Sequence, residues 1–94
     1  MNDGVKFDDS KIRWGLLPWA EIQDILEILE FGAKKYEEDN WKKVNNADDR
    51  YFNAAMRHFI SWKKGEKADP ETGKSHLAHL ACNILFLMYH DKNN

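Results

Sequence analysis

The apolar positions of this chain fall into three stretches of helical period, separated by two polar, turn-rich connections. In the first, Ile22, Ile25, Leu26, Leu29, Ala33 and Tyr36 recur at intervals of three and four, with acidic residues opposite them. Pro18 fits the opening helical position, where a missing N–H costs nothing, and the pattern predicts a helix from Pro18 to about Glu38. In the second, Phe52, Ala55, Met56, Phe59 and Trp62 or Lys63 trace one face. Asn46 stands as N-cap there, Asp48 and Asp49 suit the first turn, and the expected helix runs from Ala47 to Lys64, stopped by Gly65. In the third, from Ser75 to His90 or Asp91, Leu77, Leu80, Ala81, Ile84, Leu87 and Met88 make an apolar stripe. His76, His79, Asn83 and His90 run along its border at i, i+3, i+7 and i+14.

Residues 1–17 lack that period. Charges of alternating sign surround Phe7, Ile12 and Trp14 until Gly15 breaks the run, which reads as an arm laid over the domain by its aromatics. No repeat or second domain is visible. The expected fold class is therefore all-α: one domain over residues 1–94, an extended N-terminal arm over 1–17, and three long helices within 18–94. A chain of 94 residues buries a modest core, so completion as a homo-oligomer in a larger bundle is also expected.

Charge then narrows the partners. A formal net charge of −2, with both signs interspersed, argues against a nucleic acid polymer but leaves small phosphorylated ligands open. The single cysteine, Cys82, cannot form an internal disulfide and reads as a buried structural thiol. The N-terminus has no apolar leader, and the longest apolar run, Ile84 to Tyr89, is too short to cross a bilayer, so no membrane partner is expected.

No P-loop, dinucleotide fingerprint, zinc pattern or nucleophile elbow is present. What remains is acids and histidines on helices. His76 and His79 are close enough on one face to share a metal or a phosphate, and Glu30 flanks the first apolar stripe. Glu30, Glu66, Asp69 and Glu71 are hard oxygen ligands of the kind Mg²⁺ takes. Asp69 ahead of Pro70 also suits a plain turn cap, and His58 a semi-buried hydrogen-bonded histidine. Lys34, Lys35, Lys42 and Lys43 bracket Asn40 and Trp41, which pairs ammonium groups with a ring that can stack on a base or plug the end of the bundle.

Several segments, in order, carry a family likeness. They are Lys6-Phe7-Asp8 through Leu16-Leu17-Pro18, Leu29-Glu30-Phe31-Gly32-Ala33-Lys34-Lys35-Tyr36, Asn40-Trp41, Arg57-His58 and Trp62. Gly65-Glu66, Asp69-Pro70-Glu71-Thr72-Gly73, and His76-Leu77-Ala78-His79 with Asn83 follow. On these the chain resembles the phage dATP/dGTP diphosphohydrolase N-terminal domains, relatives of the all-α, MazG-like nucleotide pyrophosphohydrolases. The resemblance implies Mg²⁺-dependent cleavage of a deoxynucleoside triphosphate to monophosphate and pyrophosphate, in the cytoplasm of an infected bacterial host. MazG-like enzymes hold their metal with ExxE on one helix and ExxD on an antiparallel partner. Glu27-Ile28-Leu29-Glu30 matches the first; the later ExxD, Glu66-Lys67-Ala68-Asp69, follows Gly65, and the third helix carries His76-Leu77-Ala78-His79 instead.

The expected site then has Glu30, Glu66 and Asp69 on Mg²⁺, with Glu30, His58 and His79 as the catalytic group. Lys34, Lys35 and Arg57 would meet phosphates, Trp41 and Asn83 would contact the base, and His76 would be a further substrate-binding residue. The alternative is a protein of the same fold that sequesters a nucleotide or nucleotide signal without turnover, as a phage counter-defence sponge would. A purely structural bundle is the third reading. The nucleotide readings require Glu30, His58, His76, His79 and Asn83 to face a common cleft.

Overall fold

The computed structural model describes residues 3–93, so the first two residues of the expected arm and Asn94 lie outside the described residues. Three α-helices follow one another: α1, Trp19–Lys35; α2, Ala47–Lys63; and α3, His76–Asn93. Short 3-10 turns occupy Trp14–Leu16 and Asn40–Lys42. Among the described residues, no helix is long and apolar enough to cross a membrane.

Local chemistry sets the helix ends. Pro18 sits just before α1, its carbonyl accepting from the N–H groups of Glu21 and Ile22. The helix stops at Lys35, short of the expected Glu38. Lys34 and Lys35 suit the negative end of the helix dipole, whereas Glu37, Glu38 and Asp39 would oppose it, and Asp39 turns left-handed at φ 60°. Asn46 does precede α2, but its backbone is left-handed at φ 56° and its side chain caps nothing. Only its carbonyl contributes, accepting from Arg50 N–H. The far end of α2 closes as a Schellman motif: Gly65 N–H reaches Trp62 O, Glu66 N–H reaches Ser61 O, and Gly65 takes φ 106°. Ser75 Oγ caps α3 by accepting from Leu77 N–H.

The connection between α2 and α3 is an ordered hairpin-like loop. Ala68 and Ser75 form a bridge, Asp69 N–H donates to Lys74 O at 2.7 Å, and Gly73 N–H donates to Asp69 O at 2.8 Å. Lys74 then ties the loop to α1 through Glu27.

The helices meet along faces that coincide only in part with those the apolar pattern marks: Ala55 is buried and Ile22, Ile25, Leu29, Leu80, Ala81 and Leu87 are half-buried. On α3 the buried side chains are His76, Cys82, Asn83 and His90, while Leu77, Ile84, Leu85 and Met88 are exposed. On α2, Ala47 and Ala55 are buried, whereas Phe52, Met56 and Phe59 are exposed; on α1, Ile28 is buried and Leu26 half exposed. Small and polar side chains let α2 and α3 approach closely, and the bulky apolar ones are left on the flanks. The arm does not lie down either: Phe7 is 87% and Trp14 66% exposed. The accessible surface is 7739 Å², against about 5,700 Å² for a compact monomer of this mass. The radius of gyration is 17.2 Å, against about 12 Å for a compact chain of this length.

Candidate functional site

Between α1, the Asn40–Lys42 turn and the α2–α3 seam lies a cleft of about 560 Å³, within the usual size range of small-molecule sites. Glu30 enters from α1, His58 and Tyr51 from α2, and His79, Cys82, Asn83 and Phe86 from α3. Four of the five residues required to share a cleft therefore do so. The fifth, His76, is buried behind the wall, where its Nδ1 lies 2.8 Å from His58 Nδ1.

The seam explains this convergence. His76, His79, Asn83, Phe86 and His90 are spaced i, i+3, i+7, i+10 and i+14, and Ala47, Tyr51, Ala54, His58 and Ser61 answer at similar intervals on α2. Polar residues in such a seam must find partners, and they do. His76 Nε2 meets Glu66 Oε1 at 2.6 Å. His90 Nε2–H donates to Trp41 O at 2.9 Å, and Asn83 Nδ2 donates to His79 O. His79 Nε2 lies 2.7 Å from Thr72 Oγ1 and 3.7 Å from Asp69 Oδ2. A lone pair aimed at that carboxylate would be repelled, so His79 takes the Nε2–H tautomer and donates to Thr72. The rings of His58 and His79 stack in parallel, 4.4 Å apart.

Burial governs the charge states. His58 is held neutral, its pKa pushed down to about 4 by desolvation and then by the neighbouring imidazoles. His79 is also lowered by burial, which outweighs the opposing pull of Asp69. Burial pushes Asp69 up, but the Thr72 N–H and His79 beside it more than offset this, so its carboxyl stays below its ordinary value. Cys82 is pushed up to about 12 by burial, an inert thiol whose Sγ points at Ile25 O.

The remaining expected residues are divided. Lys35 lines the cleft, paired with Glu71 at 2.9 Å, whereas Lys34 and Arg57 are exposed and do not line it. Trp41 borders the cleft, but its ring is stacked on Phe86 at 4.7 Å and meets the edge of Tyr89, so it plugs the end of the seam. Glu30 stands alone among the expected Mg²⁺ ligands at the cleft; Glu66 is committed to His76, and Asp69 Oδ2 accepts from Glu71 N–H, Thr72 N–H and Thr72 Oγ1. These three do not converge, and Glu27 of the ExxE pair turns to Lys74 and Gln23. The three-acid Mg²⁺ set therefore does not fit. Among the described residues, the side chains whose ligand atoms do come within 4.8 Å of one another are His58, Asp69 and His76. Thr72 was not among the expected site residues; the Asp-Pro-Glu-Thr-Gly turn signal places a hydroxyl beside Asp69 but does not reveal that a histidine seven residues on will meet it.

The family of proteins described as "dATP/dGTP diphosphohydrolase, N-terminal" matches this chain over residues 1–94. The chain belongs to that family. A relative from Salmonella phage PMBT28, named dATP/dGTP diphosphohydrolase, is 30% identical over 86 residues. The match covers 92% of this chain but 29% of the relative, so the chain spans less than a third of that protein's length. No solved structure matches it. Family membership agrees with the likeness read from the sequence, and its segments contribute Glu30, Lys35, His58, Glu71, His79 and Asn83 to the cleft.

Proposed function

We propose that the cleft binds a deoxynucleoside triphosphate and that the protein acts as a phage-type pyrophosphohydrolase. In this reaction water attacks the α-phosphorus, the bond to the bridging oxygen breaks, and pyrophosphate leaves. The observation that carries this reading is the convergence of Glu30, His58, His79 and Asn83 on one cleft in a chain of this family. The name of the phage relative supports the substrate class.

The electrostatics add a condition. Glu30, Glu37, Glu38, Asp39 and Glu71 line the cleft with one lysine, Lys35, so a bare triphosphate would be repelled. The substrate must therefore arrive with cations. Mg²⁺ carried in on the nucleotide would have Glu30 as its one expected carboxylate at the cleft and would supply charge neutralisation there. The chain's own contributions are separate from that ion. The neutral imidazoles of His58 and His79, whose N–H groups are turned to His76 and Thr72, keep one acceptor nitrogen each and would accept a hydrogen bond from the attacking water, while apolar Phe86 and Cys82 offer the deep wall to the base.

A second reading keeps the same cleft but no turnover: sequestration of a nucleotide or nucleotide signal. It is favoured by one observation, that Glu30, Glu66 and Asp69 do not converge on a metal. Incubation of the chain with dATP, dGTP, dCTP or dTTP and Mg²⁺, read by ³¹P NMR, separates the two. We expect monophosphate and pyrophosphate, with turnover reduced about 100-fold or more by Glu30→Gln. Tight binding with unchanged nucleotide selects sequestration. Failure to bind any nucleotide overturns both readings.

A further inference from the structure

We propose that His58, Asp69 and His76 form a binding site for a first-row divalent transition-metal ion, distinct from the Mg²⁺ that accompanies a nucleotide. The three residues come from α2, the connecting loop and α3, and their ligand atoms lie within 4.8 Å of one another. Such convergence from separate elements is what a metal centre needs. Two like nitrogens, His58 Nδ1 and His76 Nδ1, face each other at 2.8 Å. Bound to one ion at about 2.0–2.1 Å, two imidazole nitrogens stand roughly 3.0–3.4 Å apart, so the rings need open by only a few tenths of an ångström.

The surroundings match those of a metal-bound imidazole. Glu66 Oε1 sits 2.6 Å from His76 Nε2. A carboxylate there accepts the Nε2–H and leaves Nδ1 with the lone pair, the arrangement by which proteins orient a ligating histidine. Asp69 is fixed by three donors on Oδ2, the N–H groups of Glu71 and Thr72 and the hydroxyl of Thr72. Among the described residues its Oδ1 has no hydrogen-bond partner. His79, held by Thr72 and stacked on His58, walls the remaining side. Both imidazoles must be neutral to ligate.

The donor set decides the ion. Two imidazoles and one carboxylate suit manganese, iron, cobalt, nickel or zinc and leave positions open to water or a ligand oxygen, whereas Mg²⁺ demands oxygens. Because His58 also lines the cleft, the ion would lie at its inner wall. The competing account is a metal-free relay in which a single proton is shared between the two Nδ1 atoms.

The test needs no nucleotide, so its failure leaves the nucleotide reading standing. The full chain, stripped with EDTA, is titrated with Zn²⁺ and Co²⁺ by calorimetry, and the histidine ring nitrogens are followed by ¹⁵N NMR. We expect one ion per chain, with Nδ1 of His58 and His76 shifting and the buried His90 unchanged. Asp69→Asn and His58→Gln should each weaken binding at least tenfold, and Glu66→Gln about 10-fold. His76 is buried, so His58→Gln, checked for retained helicity by circular dichroism, carries the argument if His76→Ala fails to fold. The proposal is overturned by no binding at millimolar ion, by ligation through His79 or His90 instead, by full affinity in His58→Gln, or by displacement with a tenfold excess of Mg²⁺.

Discussion

On one face of α3, His76, His79, Asn83, Phe86 and His90 line the seam with α2; on the other, Leu77, Ile84, Leu85 and Met88 are left 40–50% exposed. The polar line holds the deepest side chains, whereas Leu80, Ala81 and Leu87 of the apolar stripe are half-buried and the rest of it is exposed. Burying histidine and asparagine is costly unless each finds a partner, and here each does, through Glu66, Thr72, His79 O and Trp41 O. A Met88 that is half exposed gains only part of the stability its full burial would give. A seam that accepts this arrangement trades apolar burial for directed hydrogen bonds, which is a common signature of a site.

The largest effects should come from breaking the inner face at its ends. Trp41 is stacked on Phe86, edge-on to Tyr89, and covered by Lys42. Trp41→Ala removes that plug and should cost about 3 kcal/mol, read as a lower denaturant midpoint at unchanged slope. A loss below about 1 kcal/mol would mean the ring is free enough to serve as a base platform after all. At the other end, His76→Ala deletes two hydrogen bonds and leaves a buried gap beside His58, with an expected cost of about 2–3 kcal/mol in metal-free protein. Outcomes near zero would show that the seam is not held by its polar contacts.

A smaller effect tests whether a single seam bond matters. His90 donates to Trp41 O at 2.9 Å, and Tyr51 Oη–H reaches the same carbonyl at 3.4 Å. His90→Ala should therefore cost only about 1 kcal/mol, because the carbonyl keeps a second donor. The double change with Tyr51→Phe should exceed the sum of the two single costs, since the carbonyl is then stranded. Strict additivity would sink the shared-acceptor account.

These contrasts also show how far the residues alone lead. Three helices, the stop at Gly65 and the i, i+3, i+7, i+14 line of His76, His79, Asn83 and His90 were all legible, because spacing and backbone freedom are local properties. Which side of that line faces inward was not. Periodicity assigns the core to the apolar stripe, and it cannot know that hydrogen-bonded histidines and an asparagine will take the deepest positions instead. Trp41 and Asn46 illustrate the same limit: a stacking ring and a capping side chain are both sound readings of their residues, but the packing against Phe86 and the left-handed backbone at Asn46 are tertiary outcomes. Of the candidate site, Glu30, His58, His79 and Asn83 were recoverable from flank positions on helices, whereas the Asp69–Thr72–His79 contact depends on how the loop folds back.

The outer face gives the smallest effect on a single chain and the most informative one on assembly. Ile84 and Met88 are 46% and 50% exposed, so the pair Ile84→Glu and Met88→Glu should change the stability of an isolated monomer by less than about 0.5 kcal/mol each. The accessible surface nevertheless exceeds that of a compact monomer of this mass by about 2,000 Å², and an interface between two copies typically removes about 1,600 Å² in total. The expected outcome is a sedimentation mass above the 11.1 kDa of one chain, falling to that value in the double variant. Charges placed on an apolar interface must be desolvated against a like copy, which no neighbouring contact repays. If the unaltered chain sediments as a monomer, the exposed stripe has no self-partner, and the inversion of α3 must be explained by the cleft alone.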